Sequence, residues 1–181
     1  MDKHIFIQGE SLYLRALEEK DLQGNYFQWL NDPEVNEFNS HGVFPNTESG
    51  MKSFLEHQHE SKDKLVLAII DNSADLHIGN ISLQAIDWVS QSAEFAILLG
   101  DKDYWGKGYS TEAAIMICEH GFKKMNLNRI HCGTSEKNIG MQKLAGKMKM
   151  KLEGTRRKAL YKNDEYLNIL EFGVLKEEFY S

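Results

Sequence analysis

Residues 104–113 read YWGKGYSTEA, and this stretch carries two glycines one residue apart, Gly106 and Gly108. An apolar run from Phe95 to Leu99 precedes it, and a helical pattern starts near Thr111. A strand, a glycine-bearing loop and a helix N-terminus in this order form a site for a phosphorylated ligand. The first amides of a helix have no intrahelical acceptor and its dipole attracts anions, while glycine lets the backbone approach phosphates closely. We therefore predict a pyrophosphate cradle at this loop.

The spacing of the glycines excludes two familiar phosphate loops. A nucleotide-hydrolase loop needs four residues between its glycines and then Gly-Lys-Ser/Thr. Here five residues separate Gly100 from Gly106, and Lys107 is followed by Gly108. The dinucleotide fingerprint fails because Thr111 stands where its third glycine belongs. An ordinary tight turn is the alternative interpretation of this loop.

Composition limits the class of protein. A chain of 181 residues is long enough to bury a core, and we predict a single domain over residues 1–181. The formal net charge of -6 argues against a nucleic-acid partner held through its phosphates. Cys118 and Cys132 have no paired spacing, so neither a disulfide nor a zinc site follows. We find no targeting segment and no apolar run long enough to span a bilayer, and predict a cytoplasmic protein without a membrane partner.

The hydrophobic pattern predicts an α+β fold with a mixed sheet. Ser11 to Leu17 alternates as a first strand, and Glu18 to Leu30 follows a helical period. A further helix is predicted after Thr47, whose hydroxyl can cap it. Three apolar runs then indicate an antiparallel meander, followed by a helix, a strand, a short helix and a closing hairpin. The runs span residues 64–70, 78–88 and 93–99, and the later elements span 111–125, 129–134, 140–148, 153–161 and 166–175.

The loop and its flanking segments resemble the GNAT N-acetyltransferase superfamily, in particular the branch named after the ribosomal-protein N-terminal acetyltransferases. Trp105 to Ala113 is similar to the acyl-CoA pyrophosphate loop of that family. Other segments match the branch in order along nearly the whole chain: residues 12–17, 29–35, 78–83, 93–95, 126–130, 138 and 153–154. The resemblance therefore extends well beyond the two glycines.

The resemblance implies a central mixed sheet of about seven strands with one splayed pair, flanked by about four helices. It also implies acetyl-CoA as co-substrate and no metal. In this family the free amides of the splayed strand pair with the pantetheine arm of the cofactor. The corresponding cofactor-binding positions are Ile97, Leu98, Leu99, Trp105, Gly106, Lys107, Gly108, Tyr109, Ser110, Thr111 and Asn138. A helix-capping role is the alternative for Asn138.

The implied reaction is attack by an amine on a thioester carbonyl. An alkyl ammonium with a pKa of ~10.4 is almost wholly protonated at neutral pH, whereas an α-amine near ~7.7–8.0 is not. A group on the enzyme must therefore accept a proton, directly or through water. Glu94 matches a glutamate that faces the acceptor cleft in this branch, and it is the candidate catalytic base. The alternatives are a solvated carboxylate and one that binds the ammonium without accepting its proton.

The customary proton donors for the departing thiolate are replaced in this chain. Ala145 stands where many family members have a tyrosine, and Met141 where this branch often has a serine. Tyr104, Tyr109 and Ser110 are close in sequence to the loop. Water, a residue from another segment, or departure of an unprotonated thiolate are the alternatives.

The acceptor is open among three classes. Residues 79–88 together with the loop are similar to branch members that acetylate nucleotide-linked amino sugars, whereas the overall layout resembles protein N-terminal acetyltransferases. Residues 92–95 resemble the polyamine acetyltransferases. Trp88 and Asn80 are candidate substrate-binding residues, with strand-end packing as the alternative for Trp88, and residues 38–41 are candidates for the acceptor wall. The implied partner is a small-molecule amine or a protein N-terminus, and a homodimer is one of the open oligomeric states.

Two other classes of function remain. A non-catalytic CoA-binding or sensing module, suggested by the replaced tyrosine and serine, would bind CoA without turnover. A plain interaction domain, in which Gly106 to Gly108 is only a turn, would not bind CoA.

The basic residues from Lys147 to Lys158 are candidates for contact with the 3'-phosphate of CoA, the alternative being a solvated face.

Overall fold

The computed structural model describes residues 4–39, 41 and 43–181, with all of their side chains except those of residues 59 and 60. Within these residues, eight strands form one sheet in the order β1-β2-β3-β4-β5-β6-β8-β7. The strands are β1 (Ile7–Gln8), β2 (Leu12–Ala16), β3 (Leu65–Asp71), β4 (His77–Asp87), β5 (Ser92–Leu99), β6 (Arg129–Ser135), β7 (Lys151–Lys162) and β8 (Glu165–Leu175).

Helices cover both faces of this sheet. On one face α4 and α5 bury an apolar core that includes Ile117 and Phe122, both fully buried. On the other face α2 and α3 contribute Trp29, Met51 and Leu55 to a second, smaller core. The helices are α1 (Glu19–Leu22), α2 (Tyr26–Asn31), α3 (Glu48–Glu60), α4 (Tyr109–Lys123), α5 (Ile139–Lys147) and α6 (Lys176–Tyr180).

One pair of strands in the sheet is splayed. All neighbouring strands are antiparallel except β5 and β6, which run parallel and are joined by a crossover through α4. This parallel pair matches only Ser92 to Glu94 with Arg129 to His131. The strands then separate, although β5 continues to Leu99 and β6 to Ser135. The mixed α+β sheet with one splayed pair, predicted from the sequence, is confirmed.

Several element boundaries differ from the predictions. The helix predicted from Glu18 to Leu30 is divided into α1 and α2, because the first ends at Leu22 with Gln23 as its C-cap, and Gly24 follows as a poor helix former. The helix predicted after Thr47 is present, and the Thr47 side chain accepts a hydrogen bond from the backbone of Gly50. The two-residue strand β1 is an addition to the predicted sheet. No helix within the described residues is both long and apolar enough to cross a membrane.

Candidate active site

The backbone of β5 offers hydrogen-bonding groups to the cleft between the splayed strands. The backbone N–H of Gly100 donates to the carbonyl oxygen of Ile78 at 3.0 Å, so these two residues are a hydrogen-bonded pair between β4 and β5. Bonded and non-bonded pairs alternate in such a ladder, so the backbone groups of Ile97 and Leu99 point away from β4. The Leu99 oxygen accepts a hydrogen bond from Nε1 of Trp105 at 2.7 Å. The N–H and C=O of Ile97 and the N–H of Leu99 therefore face the cleft.

The glycine loop leads into α4 through two left-handed residues. Gly106 has a φ of 73° and Gly108 one of 94°. Gly108 caps α4, and its carbonyl oxygen accepts from Thr111 and Glu112 at 2.9 and 3.1 Å. A Cβ atom placed on either glycine would meet nothing within 4 Å, so the space over the loop is open. The loop and helix N-terminus thus have the backbone geometry that suits an anionic ligand such as phosphate.

A cavity of about 520 Å³ extends over this loop and the splayed part of β5. Most of the predicted cofactor-binding residues line it: Ile97, Leu98, Leu99, Trp105, Gly106, Gly108, Ser110, Thr111 and Asn138. Lys107 and Tyr109 are not among the lining residues. The hydroxyl of Tyr109 instead donates to Oδ1 of Asp71 at 2.7 Å, and this bond together with burial raises the pKa of Tyr109 to about 12. The structure therefore brings together all but two of the predicted positions.

Two lysines bring positive charge to this smaller cavity. Lys143 and Lys147 line it, and Nζ of Lys147 lies 3.4 Å from Oγ1 of Thr111. Other members of the predicted basic patch bond elsewhere: Lys149, Lys151 and Arg156. Sequence reasoning misses Lys143 because its place at the cavity depends on how α5 packs against α4.

Asn138 has the helix-capping role that the sequence left open as an alternative. Its Oδ1 accepts from the backbone N–H of Met141 at 3.0 Å, so the residue caps α5 while also lining the smaller cavity.

Ala145 is fully buried, and Met141 lines the cavity without offering a proton. Tyr104 also lines the cavity, but burial and then the Asp71 carboxylate raise its pKa above the ordinary value. Of these groups, the Tyr104 hydroxyl is the one that keeps a proton it could pass to a thiolate, and its raised pKa makes it a weaker acid than an ordinary tyrosine.

A larger cavity of about 820 Å³ lies on the sheet face covered by α2 and α3. It shares Phe38, Asn39, Ile97 and Leu98 with the smaller cavity, so the two adjoin at β5. Phe38, Asn39 and His41 of the predicted acceptor wall line it, and Ser40 lies outside the described residues. The two cavities therefore meet at one strand.

The floor of the larger cavity is a polar stripe on β4 and β5. Asn80, Ser82 and Gln84 alternate along β4 on this face. Glu94 is the direct partner of Gln84, whose Nε2 donates to Oε2 of Glu94 at 3.4 Å. Of the described residues that line the cavity, Glu94 supplies the one carboxylate and Lys64 the one ammonium group. Glu94 is therefore placed where a bound amine would meet a negative charge.

Trp88 lies apart from this arrangement. Its side chain is 53% exposed, and its Nε1 donates to the carbonyl oxygen of Lys62 at 2.9 Å. It lines neither cavity, so the structure does not bring it together with Glu94. Within the part of the chain that is described, no group of three or more His, Cys, Asp or Glu side chains could hold a metal ion.

Asn80 belongs to a buried polar chain that sequence reasoning does not reveal. Its Oδ1 lies 3.0 Å from Nε2 of His77, whose pKa is lowered because burial outweighs the attraction of the Asp21 carboxylate. Arg15 donates to both oxygens of Asp21, at 2.7 and 2.6 Å. Burial alone would raise the pKa of Asp21, but hydrogen bonds from Arg15 and neighbouring charges hold it below its usual range.

Comparison with known protein families agrees with this geometry. A family model described as "Acetyltransferase (GNAT) domain" matches residues 11–151. An uncharacterized N-acetyltransferase of Bacillus subtilis (strain 168), YnaD, is 30% identical over 177 residues, which cover 96% of this chain and 98% of the relative. The match to the relative therefore extends over almost the whole length of both proteins.

Two solved structures have the same fold. A GNAT-family acetyltransferase from Bacillus anthracis superposes with a TM-score of 0.81 and 25% identity, covering 96% of this chain and 99% of that one. Spermidine N-acetyltransferase from Vibrio cholerae, solved in complex with CoA and spermine, gives a TM-score of 0.85 at 20% identity. That comparison covers 94% of this chain and 99% of the Vibrio protein.

Proposed function

The chain belongs to the family of GNAT acetyltransferase domains, and from this premise we propose that it transfers an acetyl group from acetyl-CoA to a primary amine. The acceptor amine attacks directly, while both substrates are bound and without a covalent enzyme intermediate. The observation that carries the proposal is the junction of the two cavities at β5, with the glycine loop in one and Glu94 in the other.

The smaller cavity is the proposed site of acetyl-CoA. The loop around Gly106 and Gly108 would hold the pyrophosphate, because it combines an open surface with the N-terminus of α4. Lys143 and Lys147 would balance phosphate charge. The outward backbone groups of Ile97 and Leu99 would pair with the pantetheine arm. The thioester supplies an activated acetyl group, and the chain's part is to place that group at the junction.

Glu94 is the proposed general base. It lines the larger cavity on the strand that both cavities share, and an ammonium there would be attracted by the one carboxylate among the described lining residues. Accepting a proton, directly or through water, would free the lone pair of the amine for attack. Cys118 is fully buried and burial raises its pKa beyond the physiological range, so no activated thiol competes as a nucleophile there.

The charges of the larger cavity favour an acceptor with one amine and a neutral polar body. The carboxylate of Glu94 can balance one ammonium group of the acceptor. Apart from Lys64, the other polar side chains of the described lining carry hydroxyl, amide and imidazole groups. A protein N-terminus and the sugar part of a nucleotide-linked amino sugar both fit this description. The diphosphate of the latter is anionic, and Lys64 is the cation that the described lining offers it. A polyamine is the second candidate, favoured by the spermine complex of the Vibrio relative. Lys64 would repel the additional positive charges of a polyamine.

Thiol release from acetyl-CoA tests this proposal. The panel contains nucleotide-linked amino sugars, peptides with free N-termini, and polyamines, with a control that lacks acceptor. We expect release above that control with an amino sugar or a peptide. Acetyl-CoA binding without release on any amine, from protein shown to be folded, would favour the non-catalytic module. Absence of acetyl-CoA binding would favour a plain interaction domain.

A further inference from the structure

The side chain of Tyr109 reaches the end of a distant strand instead of the smaller cavity. Its hydroxyl donates to Oδ1 of Asp71, the last residue of β3, at 2.7 Å. Its ring packs edge-on against that of Tyr104, with the ring centroids 5.0 Å apart. Tyr109 is the first residue of α4 and directly follows Gly108, the cap of that helix. The bond to Asp71 therefore anchors the chain at the point where the glycine loop ends.

The carboxylate that accepts this bond is itself held in place. Asp71 is only 1% exposed, and its Oδ2 accepts from Oγ of Ser73 at 2.6 Å and from the backbone N–H of Ala74 at 2.7 Å. Burial alone would raise the pKa of Asp71, but hydrogen bonds from Ser73 and Tyr109 hold it below its usual range. Tyr109 therefore donates to a fixed, ionised acceptor, and hydrogen bonds to charged groups are stronger than those between neutral groups.

A second side chain anchors the start of the same loop. Nε1 of Trp105 donates to the carbonyl oxygen of Leu99 on β5 at 2.7 Å. In the sheet, β3 and β5 lie on opposite sides of β4. The segment from Trp105 to Tyr109 is thus bonded to one strand at its beginning and to another at its end.

The residues between these two anchors are not held by packing of their own. A Cβ atom on Gly106 or Gly108 would meet nothing within 4 Å, and Lys107 is exposed. Glycine has more conformational freedom to lose than any other residue when a loop becomes ordered. A loop that is already ordered does not lose this freedom on binding, and so binds its ligand more tightly.

We propose that Tyr109 and Asp71 are positioning residues for the diphosphate of acetyl-CoA, and that the bond between them holds residues 106–108 in the conformation that binds it. The inference rests on the proposed function, whose cofactor site it extends to a pair of side chains outside the smaller cavity. It has a specific consequence. The bond should matter for acetyl donors that carry the diphosphate and should be irrelevant for donors that lack it.

Two acetyl donors test this consequence with the intact protein. S-acetylpantetheine has the thioester and the pantetheine arm of acetyl-CoA but no diphosphate. The quantity measured is kcat/KM for thiol release with each donor, using the acceptor of the panel that gives the highest release. Tyr109→Phe keeps the ring and removes the hydroxyl. We expect kcat/KM for acetyl-CoA to fall by about ten-fold, mainly through KM, and kcat/KM for S-acetylpantetheine to stay unchanged.

Tyr161→Phe is the matched control for the loss of a hydroxyl. Tyr161 is exposed, donates to Asp164 at 3.1 Å, and lines neither cavity. Its variant should leave kcat/KM for both donors unchanged. Circular dichroism and thermal unfolding identify any variant that fails to fold.

Asp71→Asn, alone and combined with Tyr109→Phe, tests whether the two residues act through their bond. If they do, the loss of kcat/KM for acetyl-CoA in the double variant should be much smaller than the product of the two single losses. Losses that multiply would overturn the pairing of the two residues. Should Asp71→Asn fail to fold, the comparison of the two donors in Tyr109→Phe decides alone.

Two further outcomes would overturn the inference while leaving the proposed function in place. One is a folded Tyr109→Phe variant with the wild-type kcat/KM for acetyl-CoA. The other is an equal fall with both donors, which would show a general effect on the fold.

A wild type that binds acetyl-CoA but acetylates no amine would refute the proposed function, and calorimetric affinities would then decide the inference. Tyr109→Phe should still bind acetyl-CoA about ten-fold more weakly than the wild type, and unchanged affinity would overturn the inference. A wild type that does not bind acetyl-CoA would refute both.

Discussion

Glu94 stands directly opposite His131 in the last pair that joins β5 to β6. Directly paired residues project to the same face of the sheet, so both side chains stand on one face at the last position before the two strands separate. The cleft that would receive the pantetheine arm therefore opens along β5 immediately after Glu94. The proposed base is therefore on the strand that both cavities share, three residues or about 10 Å before Ile97, where they adjoin.

The first prediction concerns this carboxylate. Glu94→Gln keeps the size and hydrogen-bonding reach of the side chain but removes its capacity to accept a proton at neutral pH. We expect kcat to fall by about 10²–10⁴-fold, the range typical of a positioned general base, with acetyl-CoA affinity nearly unchanged. Steady-state kinetics and calorimetric titration with acetyl-CoA measure the two quantities.

Glu56→Gln is the matched control for Glu94→Gln, because Glu56 is exposed on α3 and lines neither cavity. It should leave both quantities unchanged. Turnover that survives intact in Glu94→Gln would remove Glu94 from the role of base.

The second prediction concerns the glycine loop. Gly108→Val puts a branched side chain into the open space over the loop and strains a backbone with a φ of 94°. We expect acetyl-CoA binding to be lost in calorimetric titration. The strain costs about 1–2 kcal/mol, which a folded domain should tolerate.

Gly146→Val introduces the same side chain into open space on α5, away from the smaller cavity. It should retain acetyl-CoA binding. Unchanged affinity in the Gly108 variant would contradict the pyrophosphate cradle and favour an ordinary turn.

The third prediction concerns the packing between α2 and the start of the loop. A Cβ atom on Gly100 would lie 2.0 Å from Cδ2 of Trp29, inside the indole ring system. Gly100→Ala should therefore destabilise the fold by about 1–3 kcal/mol or more, as overpacking does. Urea unfolding measures this loss. Gly24→Ala, where the nearest atom is 3.6 Å away, should change stability far less, and equal stability of the two variants would refute the contact.

The fourth prediction concerns the buried pair of Arg15 and Asp21. Asp21→Asn leaves the guanidinium without its counter-charge and should cost about 3–5 kcal/mol of unfolding free energy. The pKa of Asp21 in the folded protein lies below its usual value, since hydrogen bonds and charges outweigh burial. Its contribution to stability is thus complete above the unfolded pKa of about 3.9 and is lost as pH falls through the folded value.

Urea titrations at pH values above and below about 3.9 test the sign of this effect. The gap in stability between wild type and Asp21→Asn should narrow as the pH falls. A gap that stays constant across this range would show that the carboxylate charge does not stabilise the fold.

Much of the fold follows from sequence patterns that act locally. The apolar runs from residue 64 onward form the central strands, and the Thr47 hydroxyl caps α3 as predicted. The spacing of Gly106 and Gly108 and the family resemblance of their loop predicted the site that the smaller cavity occupies, and both glycines are left-handed in the structure. These features need only period, capping chemistry and backbone freedom, which are readable from short stretches of sequence.

The features that sequence reasoning missed depend on contacts between distant segments. His77 and Asn80 are linked to Asp21 and Arg15 only because β4 packs near α1 and β2. Lys64 enters the larger cavity because it immediately precedes β3, beside the strand that carries Gln84. Contacts between segments so far apart in the chain leave no periodic pattern in any short stretch of sequence.

Other expectations stay predictions. These are the single domain over residues 1–181, the cytoplasmic location and the homodimer.

The most direct test of acetyl transfer is a product measurement. Protein, acetyl-CoA and the acceptor of the panel that gives the highest thiol release are incubated together, and acetylated acceptor is quantified by mass spectrometry beside the released thiol. We predict equal amounts of the two products, and a large loss of both with Glu94→Gln. Thiol release without acetylated amine, equal in the presence and absence of acceptor, would contradict acetyl transfer to an amine.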